Sequence, residues 1–154
     1  MQPRAEKYKL TEDEITDLLS KGEVVTIGTV GPDGPYVVPV NYVYWNEKIY
    51  FHSRKTGRKL DNIAADPRVS LTVYTVSGYF RGPSACATST LYRSVMGQGL
   101  AKVIEGETAE KALLQMAARF NPAVVNPSIP AEKLAMTAVV EITVAQWTGK
   151  YCRH

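Results

Sequence analysis

A chain of 154 residues with 45% hydrophobic side chains is long enough to bury one core. Its 18 basic side chains nearly balance its 15 acidic ones, which argues against an obligate nucleic-acid binder with a wide basic face. No apolar run approaches the ~20 residues of a membrane span, and the polar start lacks the apolar core of a signal peptide. We therefore expect a single domain over residues 1–154, located in the cytoplasm, with no membrane or nucleic-acid partner.

Cysteine and histidine are too scarce to form a metal site. Cys86 and Cys152 lie far apart and form no CxxC pair, so we expect two free thiols. His52 is the one internal histidine, and His154 is the other. A zinc site with several histidines is therefore not expected.

The first predicted element is an amphipathic helix that begins after Thr11. Thr11 and Glu14 have the spacing of a capping box, and Leu10 with Ile15 has that of a hydrophobic staple. Gly22 stands where a C-terminal glycine cap belongs.

From residue 24 the hydrophobic pattern changes to a period of two, which is typical of strands. Residues 24–30 and 36–44 predict a hairpin around Gly31-Pro32-Asp33-Gly34, and residues 48–53 add a third strand to form a meander. Pro39 cannot donate a hydrogen bond to a neighbouring strand, so we expect its strand at a sheet edge or a bulge.

The rest of the chain mixes short helices with long strands. Leu60, Ile63 and Ala64 recur at helical spacing, which predicts a short helix that ends at Asp66-Pro67. The further predicted elements are a strand over 68–76, a loop rich in small residues over 77–90, a long strand over 91–105 interrupted or bulged at Gly97 and Gly99, a helix ending at Phe120, a helical turn over 131–134 and a strand over 137–148. Antiparallel strands that precede any long helix argue against a doubly wound parallel sheet. The expected fold is mainly β, a closed or split antiparallel barrel with peripheral helices.

The stretch from Ser53 to Lys59 predicts an anion site. A strand ends here, Gly57 permits a tight turn, and a helix starts with Arg58 and Lys59. A helix N-terminus offers unpaired N–H groups, the Ser53 and Thr56 hydroxyls can donate, and Arg58 can bind a phosphate through two hydrogen bonds. On spacing alone, a solvated basic turn is an open alternative.

Residues 34–42 predict a second part of a binding site. An edge strand interrupted at Pro39 exposes backbone groups that could face a planar ligand, and Asn41 adds a donor and an acceptor. An ordinary edge strand would have the same pattern.

In order and spacing these motifs resemble the Nim-type flavoproteins, which are associated with resistance to 5-nitroimidazole antibiotics and belong to the pyridoxamine 5′-phosphate oxidase-like FMN-binding split-barrel superfamily. The resemblance spans most of the chain. Its motifs are residues 35–42 (PYVVPVNY), residues 49–53 (IYFHS), Gly57-Arg58-Lys59 leading to Asp66-Pro67, and Tyr92-Arg93-Ser94-Val95 with Gly97 and Gly99.

The resemblance implies an FMN-binding split β-barrel that forms a homodimer with two flavin sites shared between its subunits. The implied cofactor-binding residues are Pro39, Val40, Asn41 and Tyr42 along the isoalloxazine ring, His52 and Ser53 beside the ribityl and phosphate arm, Gly57, Arg58 and Lys59 at the phosphate, and Tyr92 and Ser94 across the dimer interface. A plain barrel strand explains Tyr92 and Ser94 equally well. His52 is also the implied catalytic proton donor. A histidine that only hydrogen-bonds the cofactor or the backbone is the alternative.

The implied function is transfer of electrons from NAD(P)H through FMN to a small electrophile such as a nitroimidazole or another nitroaromatic. A pyridoxamine phosphate oxidase-type activity, a deazaflavin-dependent reductase and a non-catalytic flavin- or haem-binding protein are the alternatives. Gly97-Gln98-Gly99 lacks the third glycine of a dinucleotide fingerprint, so any nicotinamide is expected to dock transiently over the flavin. Residues 77–90, which include Cys86, give no indication of the substrate.

Overall fold

A computed structural model describes residues 8–153, which form one seven-stranded antiparallel sheet with helices around it. The strands are β1 (Val24–Gly31), β2 (Gly34–Asn41), β3 (Val43–Trp45), β4 (Lys48–Arg54), β5 (Arg68–Arg81), β6 (Thr88–Ile104) and β7 (Thr137–Cys152). The helices are α1 (Glu12–Lys21), α2 (Arg58–Ala65), α3 (Glu107–Phe120) and α4 (Ala131–Met136), and a 3₁₀ turn covers Ala85–Ala87. The predicted mainly β, antiparallel fold with peripheral helices is confirmed. No helix within residues 8–153 is long and apolar enough to span a membrane.

Helix α1 begins and ends where the sequence predicts. Thr11 Oγ1 accepts the Glu14 N–H at 3.2 Å, and the Glu14 carboxylate accepts the Thr11 N–H at 3.0 Å, which completes the capping box. The Gly22 N–H donates to the Leu18 carbonyl at 2.9 Å with φ −64°, so this glycine ends the helix without a left-handed conformation. Its lack of a side chain serves close packing instead, because a Cβ there would lie 2.5 Å from the Tyr42 hydroxyl.

The predicted strand over residues 36–44 is broken at Tyr42, where the chain passes from one hairpin to the next. Its first part, β2, pairs with β1, and its second part, β3, pairs with β4. The Tyr42 side chain is fully buried and donates a hydrogen bond from its hydroxyl to the Leu19 carbonyl at 2.6 Å. β2 and β3 therefore lie at opposite ends of the sheet order, and the prediction of one continuous meander is wrong at this residue.

This break leaves an opening between two strands, which we call the seam. β2 pairs only with β1, and residues 51–54 of β4 pair only with β7 among the described strands. β2 and β4 approach each other to within 8 Å between Cα atoms. The barrel is split along this line.

The predicted loop over residues 77–90 is largely strand, so that prediction is wrong. β5 continues to Arg81 and pairs with β6 up to Arg81↔Thr88, with a register shift between Val76 and Gly78. The exposed side chains at this end of the hairpin, including Tyr79, do not pack on the core, so the sequence carries no burial pattern there. Cys86 lies in the connecting turn, and both it and Cys152 are free thiols.

β6 runs without interruption through its two glycines, and the predicted bulge is present. The register against β7 shifts between Gln98 and Gly99. A Cβ on Gly97 would lie 2.7 Å from the Trp147 ring, and one on Gly99 would lie 2.5 Å from the Thr143 carbonyl. Close packing against β7 therefore leaves no room for a side chain at either position.

The hydrophobic core has two parts. The larger one fills the barrel and includes Ile27, Phe51 and Val95. The smaller one lies between α3 and the outside of the sheet, where Tyr50 and Met116 pack together with other apolar side chains. β4 contributes to both parts, and this positions the candidate site.

Candidate functional site

β4 presents successive side chains to the two parts of the core. Phe51 faces the barrel and Tyr50 faces α3. Because side chains of a strand alternate between faces, Ser53 lies on the side of Phe51 and His52 on the side of Tyr50. The predicted site residues His52 and Ser53 are therefore neighbours in sequence whose side chains point to opposite faces.

Helix α2 brings Arg58 and Lys59 to the seam, where each cation meets an aromatic ring. The Arg58 guanidinium lies 4.9 Å from the centre of the Tyr36 ring in β2 and donates to the Asp33 carbonyl at 3.2 Å. Lys59 Nζ lies 5.1 Å from the centre of the Phe51 ring in β4. Burial lowers the pKa of Lys59, so a nearby anion would favour its charged form.

A buried polar network fixes α2 against the first hairpin. Asn62 Nδ2 donates to Thr29 Oγ1 at 3.0 Å, and Thr29 Oγ1 donates to the Tyr36 carbonyl at 3.3 Å. Asn62 and Thr29 are both almost fully buried, and a Cβ on Gly31 would overlap the Asn62 side chain. This network was not predicted from the sequence, although a polar Asn62 beside the apolar Ile63 on a buried helix face was a signal for it.

β2 forms the other border of the seam. It lies at one end of the sheet order, which confirms the edge position predicted from Pro39. Val40 packs at the margin of the barrel core, and Asn41 is exposed and donates from Nδ2 to the Glu23 carbonyl at 3.3 Å. The side chain of Tyr42 is buried, so only its backbone is available to a ligand at the seam.

Tyr92 and Ser94 lie away from the seam within one chain. They belong to β6, three strand positions from β2 in the sheet order, a separation of about 14 Å. Val95 faces the barrel core, so both side chains lie on the outer face of the sheet. Ser94 Oγ is buried without a hydrogen-bond partner among residues 8–153, so it keeps the capacity to bind a group from outside.

His52 is exposed, and its contact with helix α3 was not foreseen. Its Nδ1 lies 3.3 Å from the sulfur of Met116. A thioether is a weak acceptor, so this contact favours a proton on Nδ1. No residue in the described part of the chain hydrogen-bonds Nε2, which is therefore the nitrogen available to exchange a proton with a ligand.

The other end of β4 carries a buried charge cluster. Tyr50 donates to Glu141 Oε2 at 2.9 Å, and the ammonium groups of Lys48 and Lys102 lie 3.0 and 3.2 Å from Oε1. Burial acts to raise the pKa of Glu141, but these three partners outweigh it and hold that pKa below its ordinary value. Burial and the Glu141 hydrogen bond raise the pKa of Tyr50 to about 12. These groups pair with one another through one hydrogen bond and two ion pairs, so the cluster is structural.

A split antiparallel barrel is the fold of the pyridoxamine 5′-phosphate oxidase-like proteins. The family model described as pyridoxamine 5′-phosphate oxidase matches residues 11–151, and the chain belongs to this family. The membership predicted from the sequence motifs is confirmed.

Solved structures show the same fold. The flavocytochrome Anf3 from Azotobacter vinelandii has a TM-score of 0.86 and 20% identity, with 100% of this chain and 73% of that chain covered. A protein from Bacteroides thetaiotaomicron described as a 5-nitroimidazole antibiotic resistance protein has a TM-score of 0.78 and 25% identity, with 92% and 85% covered. An uncharacterised protein of Rhizobium meliloti is 27% identical over 64 residues, which is 42% of this chain and 42% of that protein.

Proposed function

We propose that this protein is a flavin-dependent reductase that binds FMN at the interface of a homodimer and transfers electrons from NAD(P)H to small electrophiles such as nitroimidazoles. The observation that carries the proposal is the meeting of Arg58 and Lys59 with the aromatic borders of the seam, in a chain of the pyridoxamine 5′-phosphate oxidase family. When bound, a flavin supplies the redox chemistry, and the protein orients and tunes it.

The start of α2 fits a flavin phosphate. Gly57 has φ +133°, a conformation that favours glycine, and offers no side chain to cap the helix. The first N–H groups of α2 are therefore available to an anion, with Arg58 and Lys59 beside them. Ser53 is half-buried at the end of β4 and can add a hydroxyl donor.

The free edge of β2 fits the ring system. Residues 39–41 lie on a strand that pairs on one side only, so backbone groups on its other side are open to a planar ligand. Pro39 lacks an N–H group, which keeps this part of the edge from pairing with another strand. The side chain of Tyr36 and that of Phe51 hold the cations at the phosphate end.

The outer face of the sheet supports a homodimer. Its exposed apolar side chains form a surface that a second copy would cover, and they include Val24, Val37, Tyr74, Val76, Met96 and Leu100. Exposed apolar patches of this kind mark interaction sites. In such a dimer Ser94 and Tyr92 of one subunit contribute to the flavin site of the other, and the unpartnered Ser94 hydroxyl gains a hydrogen-bond partner.

His52 has the properties of a proton donor to the reduced substrate. Its side chain is exposed at the end of β4, and Nε2 has no partner in the described part of the chain. An imidazole can donate a proton and take one up, which suits general acid catalysis. The likeness to a protein described as conferring 5-nitroimidazole resistance supports a nitro compound as acceptor.

The absorption spectrum of freshly purified protein tests the proposal. We expect two flavin bands, release of FMN on denaturation, and reduction of a nitroimidazole that depends on added NADH or NADPH. A colourless protein that does not bind added FMN contradicts the proposal. If the protein binds FMN but reduces no nitro compound with NADH or NADPH, the proposed cofactor is supported and the proposed reductase activity is contradicted.

Haem binding is the second candidate, and one observation favours it. The fold matches a flavocytochrome over the whole chain, and the exposed His52 is an available iron ligand. A Soret band that disappears in His52→Ala would establish haem as a ligand, whereas flavin bands alone would exclude it as the main one.

A further inference from the structure

A second group of cations lines a groove between the end of β4 and helix α4. The groove has a volume of about 590 Å³. The polar residues along it include His52, Ser53, Arg54, Lys55, Thr56 and Lys133. Three of these carry a positive charge, and no carboxylate of residues 8–153 lines the groove.

The three cations have no counter-charge within the described part of the chain. Arg54, Lys55 and Lys133 are exposed, and none lies within 4 Å of a carboxylate oxygen. Lys55 also borders the adjoining cavity, where Asp61 and Glu105 lie, but neither forms an ion pair with it. Cations of like sign that share one groove repel one another unless an anion lies between them.

The groove is continuous with the proposed phosphate site but faces a different side of β4. Ser53 and Thr56 line the groove and lead directly to the start of α2. Lys59 lies over Phe51 on the barrel side, whereas Arg54 shares the opposite face with His52. Because the two groups of cations lie on opposite sides of β4, a ligand that pairs with both needs a second anionic group besides the phosphate at the start of α2.

We propose that this groove binds the diphosphate of a dinucleotide. The inference rests on the proposed flavin function, because the dinucleotide is either FAD, held in place of FMN, or the reduced nicotinamide donor. Both present the same chemistry to the groove: a diphosphate for the three cations, next to an adenosine. His52 at the groove wall places the proposed proton donor beside the path of the ligand.

ADP is the probe common to both sources, and a charge-removing variant tests the groove. In Arg54→Gln/Lys55→Gln/Lys133→Gln we expect the affinity for ADP to fall about thirtyfold, roughly threefold for each charge, and to lose most of its dependence on salt. Lys111→Gln, on the exposed side of α3, is the matched control and should leave ADP binding unchanged. The single variant Lys133→Gln, at an exposed residue, tests the same groove if the triple variant does not fold.

Flavin titrations and nicotinamide kinetics distinguish the two sources. If FAD is the ligand, the triple variant loses affinity for FAD but not for FMN. If the donor is the ligand, the KM for NADPH rises about thirtyfold while the ratio of FAD to FMN affinity stays constant. If the protein binds ADP but no flavin, the proposed reductase function is contradicted and the proposed diphosphate site is supported. If the wild-type protein does not bind ADP, or the triple variant binds ADP with unchanged affinity, the proposed diphosphate site is contradicted.

Discussion

Both ends of strand β4 carry polar side chains, but these have different partners. We call residues 48–50, whose polar side chains pair within the chain, the closed end, and residues 51–54, which border the seam, the open end. At its first end, Lys48 and Tyr50 are satisfied by the buried Glu141. At its last end, the His52 ring has one polar contact among residues 8–153, with the sulfur of Met116. The polar groups at the first end stabilise the fold, whereas Nε2 of His52 is available to a ligand.

The length of β3 explains the difference. β3 has three residues and, among the described strands, pairs only with residues 48–50 of β4. The following residues of β4 have β7 on one side and the seam on the other. Access to the candidate site therefore begins where β3 ends.

Removing the two cations at the start of α2, beside the open end of β4, should have the largest effect. In Arg58→Ala/Lys59→Ala we expect the affinity for FMN to fall about 100-fold, because two charge-assisted contacts to the phosphate are lost. Quenching of flavin fluorescence during titration measures this change.

Riboflavin, which has no phosphate, is the control ligand for that variant. Its affinity should differ little between the wild type and the variant, while circular dichroism shows the fold to be retained. Equal losses for FMN and riboflavin would place the phosphate elsewhere.

His52→Ala tests the proposed proton donor at the open end of β4. We expect kcat for nitro-compound reduction to fall about 100-fold while the affinity for FMN stays close to that of the wild type, because only the proton donor is removed. Steady-state kinetics at saturating NADPH measure this. Full activity in the variant would end the catalytic role of His52.

Glu141→Gln tests the closed end and has the smallest expected effect. At neutral pH we expect the free energy of unfolding to fall by about 1–2 kcal/mol, because two lysines lose their buried counter-charge. The folded pKa of Glu141 lies below its ordinary value of 4.5, so its contribution is complete above that value and is lost as the pH falls through the folded pKa. The difference between wild type and variant should therefore shrink in acid.

Urea denaturation at neutral pH and below pH 4.5 measures this difference. The affinity for FMN should be the same in Glu141→Gln and wild type. A variant that keeps its stability but loses FMN would show that the cluster belongs to the binding site.

Local signals allowed much of the fold to be predicted. The capping box at Thr11 and the turn at Gly31 each involve residues a few positions apart, and both are where the sequence placed them. The helix start at Gly57 was found for the same reason. The break at Tyr42 was not, because the alternating pattern of a strand continues through that residue.

Contacts between distant segments were beyond sequence reasoning. Met116 is 64 positions from His52, and Lys133 joins the groove from a helix late in the chain. Nothing in either local pattern identifies the partner. The sequence therefore identified the residues of β4 and α2 at the site, whereas those of α3 and α4 became evident only from the fold.

The contacts of the turn at residues 31–34 bear on protein engineering. An exposed two-strand turn is ordinarily a good place to graft a tag or a peptide. Here Arg58 donates to the Asp33 carbonyl, and Asn62 packs against Gly31, so an insertion would displace the helix that carries the proposed phosphate site. Within the part of the chain that the structure describes, the turn at residues 82–87, at the far end of the β5–β6 hairpin, makes no hydrogen bond to that helix and is the more suitable position for a graft.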